Sequence, residues 1–257
     1  MTKDTQQSEA GHDTRIDFCG VGFHALTPTQ TLQKCKTVTA QEPFRYLVTP
    51  NVDHVVRLSQ EPEIYAPLYK GSWMSVCDSR ILELLARKSG LTLPAVPGSD
   101  LTAQLFENII DPNEAMCVIG GDADVIAKVK SRYGLAKLYH HEPPMGLRTN
   151  PKAVQACAAF MATHKARYTF ICVGSPQQEM IAQAAEQRGD CVGLGLCVGA
   201  SLDFLAGKVK RAPKWMQKLR AEWLYRLLSE PKRLWKRYLV DGPKIFLIWR
   251  TWLRNRP

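Results

Sequence analysis

An aspartate that directly follows an apolar run has the position of a catalytic base. Residues 73–77 are apolar enough to form a short buried strand, and Asp78 comes next. Ligands of open α/β sheets bind beyond the carboxyl ends of the strands, so this carboxylate is placed to take a proton from a substrate hydroxyl. A helical pattern follows at residues 80–88, and an N-cap for that helix is an equally good interpretation of Asp78.

Glycine-containing turns follow other apolar runs and suit the close approach of a phosphate. They contain Gly120 and Gly121, Gly174 together with Pro176, and Gly199. Glycine lets a ligand come near the backbone, and a helix that begins after the turn presents free N–H groups to an anion. Because such turns are common in α/β proteins, each of them indicates a binding site only weakly.

Polar side chains stand next to two of these turns. Gln178 and Glu179 lie in the first turn of the helix predicted after Pro176, where they can hydrogen-bond a sugar or a base. Asp203 follows the apolar residues 191–198 and can bind ribose hydroxyls. Ordinary first-turn polarity explains Gln178 and Glu179 equally simply, and helix capping does the same for Asp203.

The sequence gives little support for a metal or a bound cofactor. The run from His140 to Glu142 has metal-ligand types, but adjacent residues of an extended segment point to opposite sides. No P-loop is present. The spacing of Gly193, Gly195 and Gly199 misses the dinucleotide fingerprint by one residue. We therefore expect neither a metal site nor a cofactor.

Apolar runs, turns and helical patterns alternate along the chain and must position these residues. This order predicts a Rossmann-like α/β fold, with a mostly parallel sheet and helices on both faces. The predicted strands are residues 46–48, 73–77, 115–119, 168–173 and 191–198. The predicted helices include residues 80–88, 101–110, 123–133, 151–165 and 177–187.

Composition divides the chain into three parts. The polar composition of residues 1–17 predicts a flexible tail. We expect residues 18–206 to form the α/β core and residues 207–257 to form a helical appendage. Eight cysteines without C-x-x-C spacing indicate reduced thiols and a cytoplasmic protein. No window reaches the roughly 18 apolar residues that span a bilayer.

Basic residues are concentrated in the appendage. Residues 207–257 contain fifteen Lys and Arg but three Asp and Glu, a net charge of +12, whereas the rest of the chain carries −2. Five of the six Trp lie there as well. Such a segment suits an anionic phospholipid surface or a nucleic acid.

Arginine spacing within the appendage has two interpretations. Arg226, Arg233 and Arg237 recur at intervals of seven and four, so they share one helix face if the helix continues through Pro231. Guanidinium groups on one face can clamp a diphosphate, because each forks onto phosphate oxygens. A solvated basic face is the simpler alternative.

Taken together, these motifs resemble the WecG/TagA/CpsF glycosyltransferases, which add a sugar to a polyprenyl-diphosphate-linked sugar during synthesis of bacterial cell-surface polymers. The matching segments are Thr49-Pro50-Asn51-Val52-Asp53, Asp78, residues 96–101, residues 118–121, Asn150-Pro151, residues 173–179, residues 198–203, Ala206-Gly207, Arg211-Ala212-Pro213, residues 222–226 and Glu230-Pro231. They occur in the family's order from about residue 18 to residue 240.

The resemblance implies an inverting, metal-independent transfer from a UDP-sugar. Asp78 matches the family's proposed base, and Thr49 and Asn51 match its neighbours in the pocket. Gln178 and Asp203 match residues on the nucleotide-sugar side. Together with these two, the glycine turns and Glu179 described above make up the expected nucleotide site.

For the appendage, the resemblance implies closure over the UDP diphosphate and contact with the membrane. Arg226, Arg233 and Arg237 match family arginines of this segment, and Arg211 belongs to the same basic set. Such a protein is expected on the inner face of the bacterial cytoplasmic membrane, with Trp side chains at the headgroup level. No nucleic-acid partner is then expected, and a homo-oligomer with the appendage displaced is possible.

Two departures from the family pattern bear on the donor. Ser79 stands where the family usually has Gly, and Ala95 stands where it usually has an Arg that contributes to the pocket. The donor sugar therefore stays open among N-acetylmannosamine, its uronic acid and a hexose such as glucose. Two other functions also stay open, a nucleic-acid-binding module and a catalytically inactive scaffold of a polymer-assembly complex.

Overall fold

Parallel strands form the centre of the structure. The computed structural model describes residues 14–209, 212, 213, 216 and 222–256. The strands are β1 (Arg15–Phe18), β2 (Val21–His24), β3 (Arg45–Val48), β4 (Met74–Ser75), β5 (Ala115–Ile119), β6 (Lys137–His141), β7 (Tyr168–Ile171) and β8 (Leu194–Cys197). Strands β3–β8 form one parallel sheet in the order β4-β3-β8-β7-β5-β6, and β1 and β2 form a separate antiparallel pair.

Helices cover both faces of this sheet, which confirms the predicted fold class. They are α1 (Pro28–Thr37), α2 (Val52–Gln60), α3 (Pro62–Lys70), α4 (Arg80–Lys88), α5 (Gly98–Asn108), α6 (Ala123–Tyr133), α7 (Pro151–Thr163), α8 (Gln177–Arg188) and α9 (Ser201–Leu205), with a 3₁₀ turn at Leu147–Thr149. Helices α2, α3, α4, α7 and α8 pack into the core on one face, and α1, α5, α6 and α9 into the core on the other.

The alternation of side chains along β5 shows how the two cores are divided. Cys117 and Ile119 join the core on the α7 and α8 side, whereas Met116 and Val118 join the core on the α5 and α6 side. Successive residues of a strand point to opposite faces, and here both faces are buried. The sheet is therefore fixed from both sides, and its carboxyl edge is a rigid base for the turns that follow.

Two glycines of β8 and its approach serve close packing. A Cβ on Gly195 would lie 2.4 Å from Cζ of Phe44, and one on Gly193 would lie 2.4 Å from the carbonyl oxygen of Arg167. Gly193 also has a positive φ of +78°. Packing against neighbouring strands thus explains these glycines without a dinucleotide.

Several element boundaries differ from the sequence predictions. Strand β1 begins at Arg15, so the first three of its four residues belong to the folded core and not to the predicted tail. Strand β6 and the β1–β2 pair were not predicted. Helix α5 begins at Gly98, three residues earlier than expected.

A set of C-terminal helices follows the core, and we call it the C-terminal arm. It comprises α10 (Glu222–Ser229), α11 (Pro231–Trp235), a π-helical segment (Lys236–Asp241) and α12 (Lys244–Asn255). At Glu230 the backbone leaves helical geometry, with φ −136° and ψ 58°, so α10 and α11 are separate helices. Across the described residues, the structure contains no helix with the length and apolar character needed to cross a membrane.

Helix α12 is docked on the core by its aromatic residues. Trp249 donates from Nε1 to Oγ of Ser89 at 2.7 Å, and Trp252 donates from Nε1 to Oδ1 of Asp17 at 2.7 Å. The ring of Trp252 also packs edge-on against Phe18, with 5.1 Å between the ring centroids. These two Trp therefore stabilise the attachment of the arm, and the expectation that they lie at lipid headgroups is wrong for them.

We expect Trp252→Ala to destabilise the protein, because the substitution removes both the packing on Phe18 and the hydrogen bond to Asp17. The free energy of unfolding should fall by roughly 2 kcal/mol, or about 4–8 °C in Tm. Phe246→Ala is the matched control, since Phe246 lies on the same helix with its ring exposed. Equal Tm values for the two variants in a thermal melt would contradict the docking of α12.

Candidate active site

Two loops bring Thr49 and Asp78 together at the carboxyl edge of the sheet. Thr49 follows β3, and the N–H of Asp78 donates to the carbonyl oxygen of Pro50 at 2.9 Å. A Cβ built on Gly98 would lie 3.2 Å from Oγ1 of Thr49 and 3.6 Å from Oδ2 of Asp78. The hydroxyl and the carboxylate thus flank the same small space, at the start of α5.

Helix capping does not account for Asp78. The N-cap of α4 is Ser79, whose Oγ accepts a hydrogen bond from the N–H of Leu82 at 3.2 Å. The alternative interpretation of Asp78 as this cap is therefore wrong. The structure also explains what Ser79 supplies in the place of the expected glycine, namely the capping oxygen.

Hydrogen bonds fix the positions of Thr49 and Ala95. The hydroxyl of Thr49 donates to the carbonyl oxygen of Cys197 at 3.2 Å, so β8 orients it. Ala95 is 2% exposed, forms a parallel bridge with Cys77, and donates from its N–H to Oε1 of Glu83 at 3.1 Å. A small apolar residue therefore occupies the position where an arginine was expected.

Asn51 begins α2 and contacts the C-terminal arm. Its Oδ1 accepts from the N–H of Asp53 at 3.0 Å and from Nη2 of Arg237 at 3.3 Å. The N–H of Asn51 donates to Nδ1 of His54 at 3.1 Å. Burial, helped by Arg237 and Arg57, lowers the pKa of His54 to about 3, so its imidazole stays neutral and keeps accepting this bond.

The glycines predicted at the nucleotide site adopt conformations that side chains disfavour. Gly120 and Gly121 both have φ +83°, Gly174 has φ +80° and Gly199 has φ +56°. A Cβ on Gly120 would lie 2.5 Å from Cγ1 of Val173, so the turns after β5 and β7 touch each other. Substitution at these positions would strain the backbone of the carboxyl edge.

A histidine that sequence analysis weighed as a metal ligand supports one of these turns. Nε2 of His140 lies 3.2 Å from the carbonyl oxygens of both Gly120 and Gly121. The ring therefore fixes the turn from strand β6. In the described part of the chain, no group of three or more His, Cys, Asp and Glu is placed to hold a metal ion.

Gln178 and Glu179 lie in the first turn of α8 and have little exposed surface. Gln178 is 4% exposed and Glu179 is 1% exposed. Gln178 accepts from the N–H of Gly199 at 2.9 Å through Oε1 and donates from Nε2 to Oε1 of Glu179 at 2.8 Å. Burial raises the pKa of the Glu179 carboxyl. The pair connects the turns after β7 and β8, and Pro176 beside them is buried too.

Asp203 lies on α9 among charged residues. The N-cap position of α9 is Ala200, so Asp203 is not the cap of this helix. Burial raises the pKa of Asp203, and the Lys208 ammonium partly offsets that effect. Lys208 itself forms an ion pair with Asp122, which follows the Gly120-Gly121 turn. The start of the basic segment is thereby held near the expected nucleotide site.

The arginines of the arm contact different parts of the core. The guanidinium of Arg226 lies 5.6 Å from the ring centroid of Phe204, whereas Nε of Arg237 lies 3.6 Å from Oδ2 of Asp53. Arg233 forms an ion pair with Glu230 at 2.8 Å. The condition for a shared helix face, a helix that continues through Pro231, is not met, because the backbone breaks at Glu230 between Arg226 and the other two arginines. Arg211 lies outside the described residues.

Sequence analysis missed two contributors to this region. The N-cap of α2 is Asn51, and Asp53 forms an ion pair with Arg57 at 3.0 Å. The spacing of four between Asp53 and Arg57 was the available signal. Gly98 was noticed as part of a motif, but nothing in its type showed that it adjoins Thr49 and Asp78.

This arrangement is suited to one kind of chemistry. A carboxylate and an oriented hydroxyl face a small space, glycine turns adjoin it at the same sheet edge, and arginines approach from the arm. A parallel α/β sheet with such an edge is suited to a group-transfer reaction in which a hydroxyl is activated and an anionic leaving group is stabilised.

The kind of group transferred follows from comparison with known families. The sequence matches the Glycosyl transferase WecG/TagA/CpsF family over residues 16–257, nearly the whole chain. The chain belongs to this family and is a glycosyltransferase. It acts in the synthesis of bacterial cell-envelope polysaccharides and uses a sugar donor and an acceptor.

We expect Gly98→Ala to impair activity without unfolding the protein. The added methyl would lie 3.2 Å from Oγ1 of Thr49 and would fill the space beside Asp78, so kcat should fall at least about tenfold. Because Gly98 is the first residue of a helix, alanine should leave Tm unchanged or slightly higher. Steady-state kinetics and a thermal melt of the same sample test this. Full activity would mean that the reacting groups do not meet at Gly98.

Proposed function

We propose that the enzyme transfers a sugar, with inversion and without a metal, from a UDP-sugar to a polyprenyl-diphosphate-linked sugar. The observation that supports this most directly is the position of Thr49 and Asp78 on either side of Gly98. Asp78 acts as the general base for the acceptor hydroxyl. Thr49, held by the carbonyl oxygen of Cys197, hydrogen-bonds the substrate beside it.

The reaction is a single displacement. The acceptor oxygen attacks the anomeric carbon from the face opposite UDP, its proton passes to Asp78, and the bond to the UDP oxygen breaks. Negative charge then accumulates on the diphosphate. Arg226 and Arg233 stabilise that charge, because guanidinium groups form paired hydrogen bonds with phosphate oxygens.

The donor lies along the turns after β5, β7 and β8. Gly120, Gly121 and Gly174 let the nucleotide approach the backbone, and Asp203 binds the ribose hydroxyls. Gln178 and Glu179 act on the donor indirectly, since their hydrogen bonds hold the Gly199 turn. The sugar is N-acetylmannosamine, its uronic acid or a hexose such as glucose. The small side chain of Ala95, in the place of the expected arginine, bears on which of these sugars the enzyme accepts.

The enzyme works as a peripheral protein on the inner face of the cytoplasmic membrane. Large apolar side chains of the arm are exposed, including Leu228 at 71% and Leu247 at 68%. Trp235 and Phe246 are also more than half exposed. They lie among Lys and Arg, and this combination binds anionic headgroups while apolar groups enter the interface.

The donor class is tested by thermal melts of the purified protein with UDP, UDP-sugars, GDP, NAD and a short RNA, without added metal. A ligand that binds only the folded state raises Tm. We expect UDP and one UDP-sugar to raise Tm, and the effective sugar identifies the donor. A response to RNA with none to any uridine nucleotide would contradict the proposal and favour a nucleic-acid surface on the arm.

The role of Asp78 is tested by Asp78→Asn. Loss of the base should lower kcat by about 10²–10⁴-fold while UDP still raises Tm. Asp111→Asn is the control for charge, because Asp111 is an exposed carboxylate in the turn before β5. Wild-type turnover in the Asp78 variant would show that another group takes the proton. Loss of UDP binding in that variant would point to a binding defect instead.

A further inference from the structure

A cavity lies beside the candidate active site. It is a cleft of about 420 Å³ between α2 and the segment of the arm around Arg237. Of the residues that the structure describes, five with basic side chains line it: Arg57, Arg148, Arg233, Lys236 and Arg237. Three of them come from the arm, and two come from the core. An anion in this cleft would therefore contact both.

Acidic residues only partly balance this charge. In the described part of the chain, three carboxylates line the same cleft, Asp53, Glu61 and Asp241, so these lining residues carry a net charge of +2. A diphosphate esterified at both ends carries two negative charges. The cleft thus has the charge needed to neutralise one such group.

Two of the basic groups can form further hydrogen bonds or ion pairs with a ligand. Nε of Arg237 is buried and has no hydrogen-bond partner among the described residues, although it lies 3.6 Å from Asp53. Lys236 forms no ion pair with any residue that the structure describes. A buried donor without a partner is costly, and an anionic ligand would supply the missing acceptor.

The cleft adjoins the base side of the active site. Asp53 lines the cleft and donates its N–H to Asn51, which directly follows Thr49-Pro50. None of the glycines of the nucleotide turns lines it. Arg57 reaches the turn after β7 only through a hydrogen bond to the carbonyl oxygen of Ser175 at 3.0 Å. Arg233, which stabilises the donor diphosphate in the proposed mechanism, lines the cleft as well, so a ligand here would lie next to that diphosphate and outside the glycine turns.

Exposed apolar residues continue from the cleft to the surface. Lys236, Arg237 and Asp241 line it, and Trp235 and Leu239 from the same stretch of chain are more than half exposed. One short segment thus presents charges to the cleft and apolar side chains to the outside. That combination fits a ligand with a diphosphate and a hydrocarbon chain.

We infer that this cleft binds the diphosphate of the lipid-linked acceptor, separately from the diphosphate of the donor. The inference rests on the proposed function. The acceptor's prenyl chain passes over Trp235 and Leu239, its diphosphate contacts Arg148 and Lys236, and its sugar hydroxyl reaches Asp78. Arg148, now paired with Glu61, and Lys236 are thereby acceptor-binding residues.

Titration calorimetry with farnesyl diphosphate and with UDP tests the inference, using full-length wild type, Arg148→Gln and Lys236→Gln. Each substitution should raise the Kd for farnesyl diphosphate about fivefold, and the double variant more than about tenfold. The Kd for UDP should stay within about twofold of the wild-type value. Lys232→Gln is the matched control, because Lys232 is exposed on α11 and does not line the cleft.

Three results would overturn the inference. Equal losses of UDP and farnesyl diphosphate affinity would mean one shared diphosphate site. Unchanged farnesyl diphosphate affinity with weaker binding to vesicles of phosphatidylcholine and phosphatidylglycerol would mean a headgroup site. Unchanged binding of all probes would mean that the cleft binds no anion. If the wild-type protein binds farnesyl diphosphate but no uridine nucleotide, the proposed function is contradicted. The effect of the two substitutions on farnesyl diphosphate binding then still tests whether the cleft binds a diphosphate.

Discussion

The carboxylate of Asp53 joins three parts of the site. It is 9% exposed and lies 3.0 Å from Arg57 of α2 and 3.6 Å from Arg237 of the arm. Arg57 also donates to Ser175 in the turn after β7. A carboxylate removed from water needs cations around it, so loss of either arginine would leave a costly charge. The helix after β3, the turn after β7 and the arm therefore hold one relative position.

Strand β8 lies between the two halves of the sheet and is linked by hydrogen bonds to candidate site residues in both of them. On one side, the carbonyl oxygen of its residue Cys197 orients the hydroxyl of Thr49. On the other, the turn after it is held by Gln178 through Gly199. The strand order β4-β3-β8-β7-β5-β6 thus places β8 between the strands that precede Thr49 and Asp78 and the strands that precede Gly120, Gly121 and Gly174. A change in the packing of β8 would reach both halves.

Elements that a local sequence pattern defines were predicted correctly, whereas features that depend on contacts between distant residues were missed. The bounds of β5, α4 and α6 were predicted, because apolar periodicity and terminal Asp or Gly residues define them locally. Strand β6 was missed, since its polar sequence reflects an edge position. The burial of Gln178 and the docking of Trp252 depend on residues far away in the chain, which no local pattern records.

The attachment of α12 has a consequence for how the arm can move. Trp252 binds Asp17 and Phe18 near the beginning of the fold, while Lys208 binds Asp122 where the arm departs. Both ends of the stretch from Lys208 to Trp252 are therefore attached to the core, and the described arginines between them stay close to the core surface. The far end of the arm returns to the first strand of the fold, so the last helix and the first strand are fastened to each other.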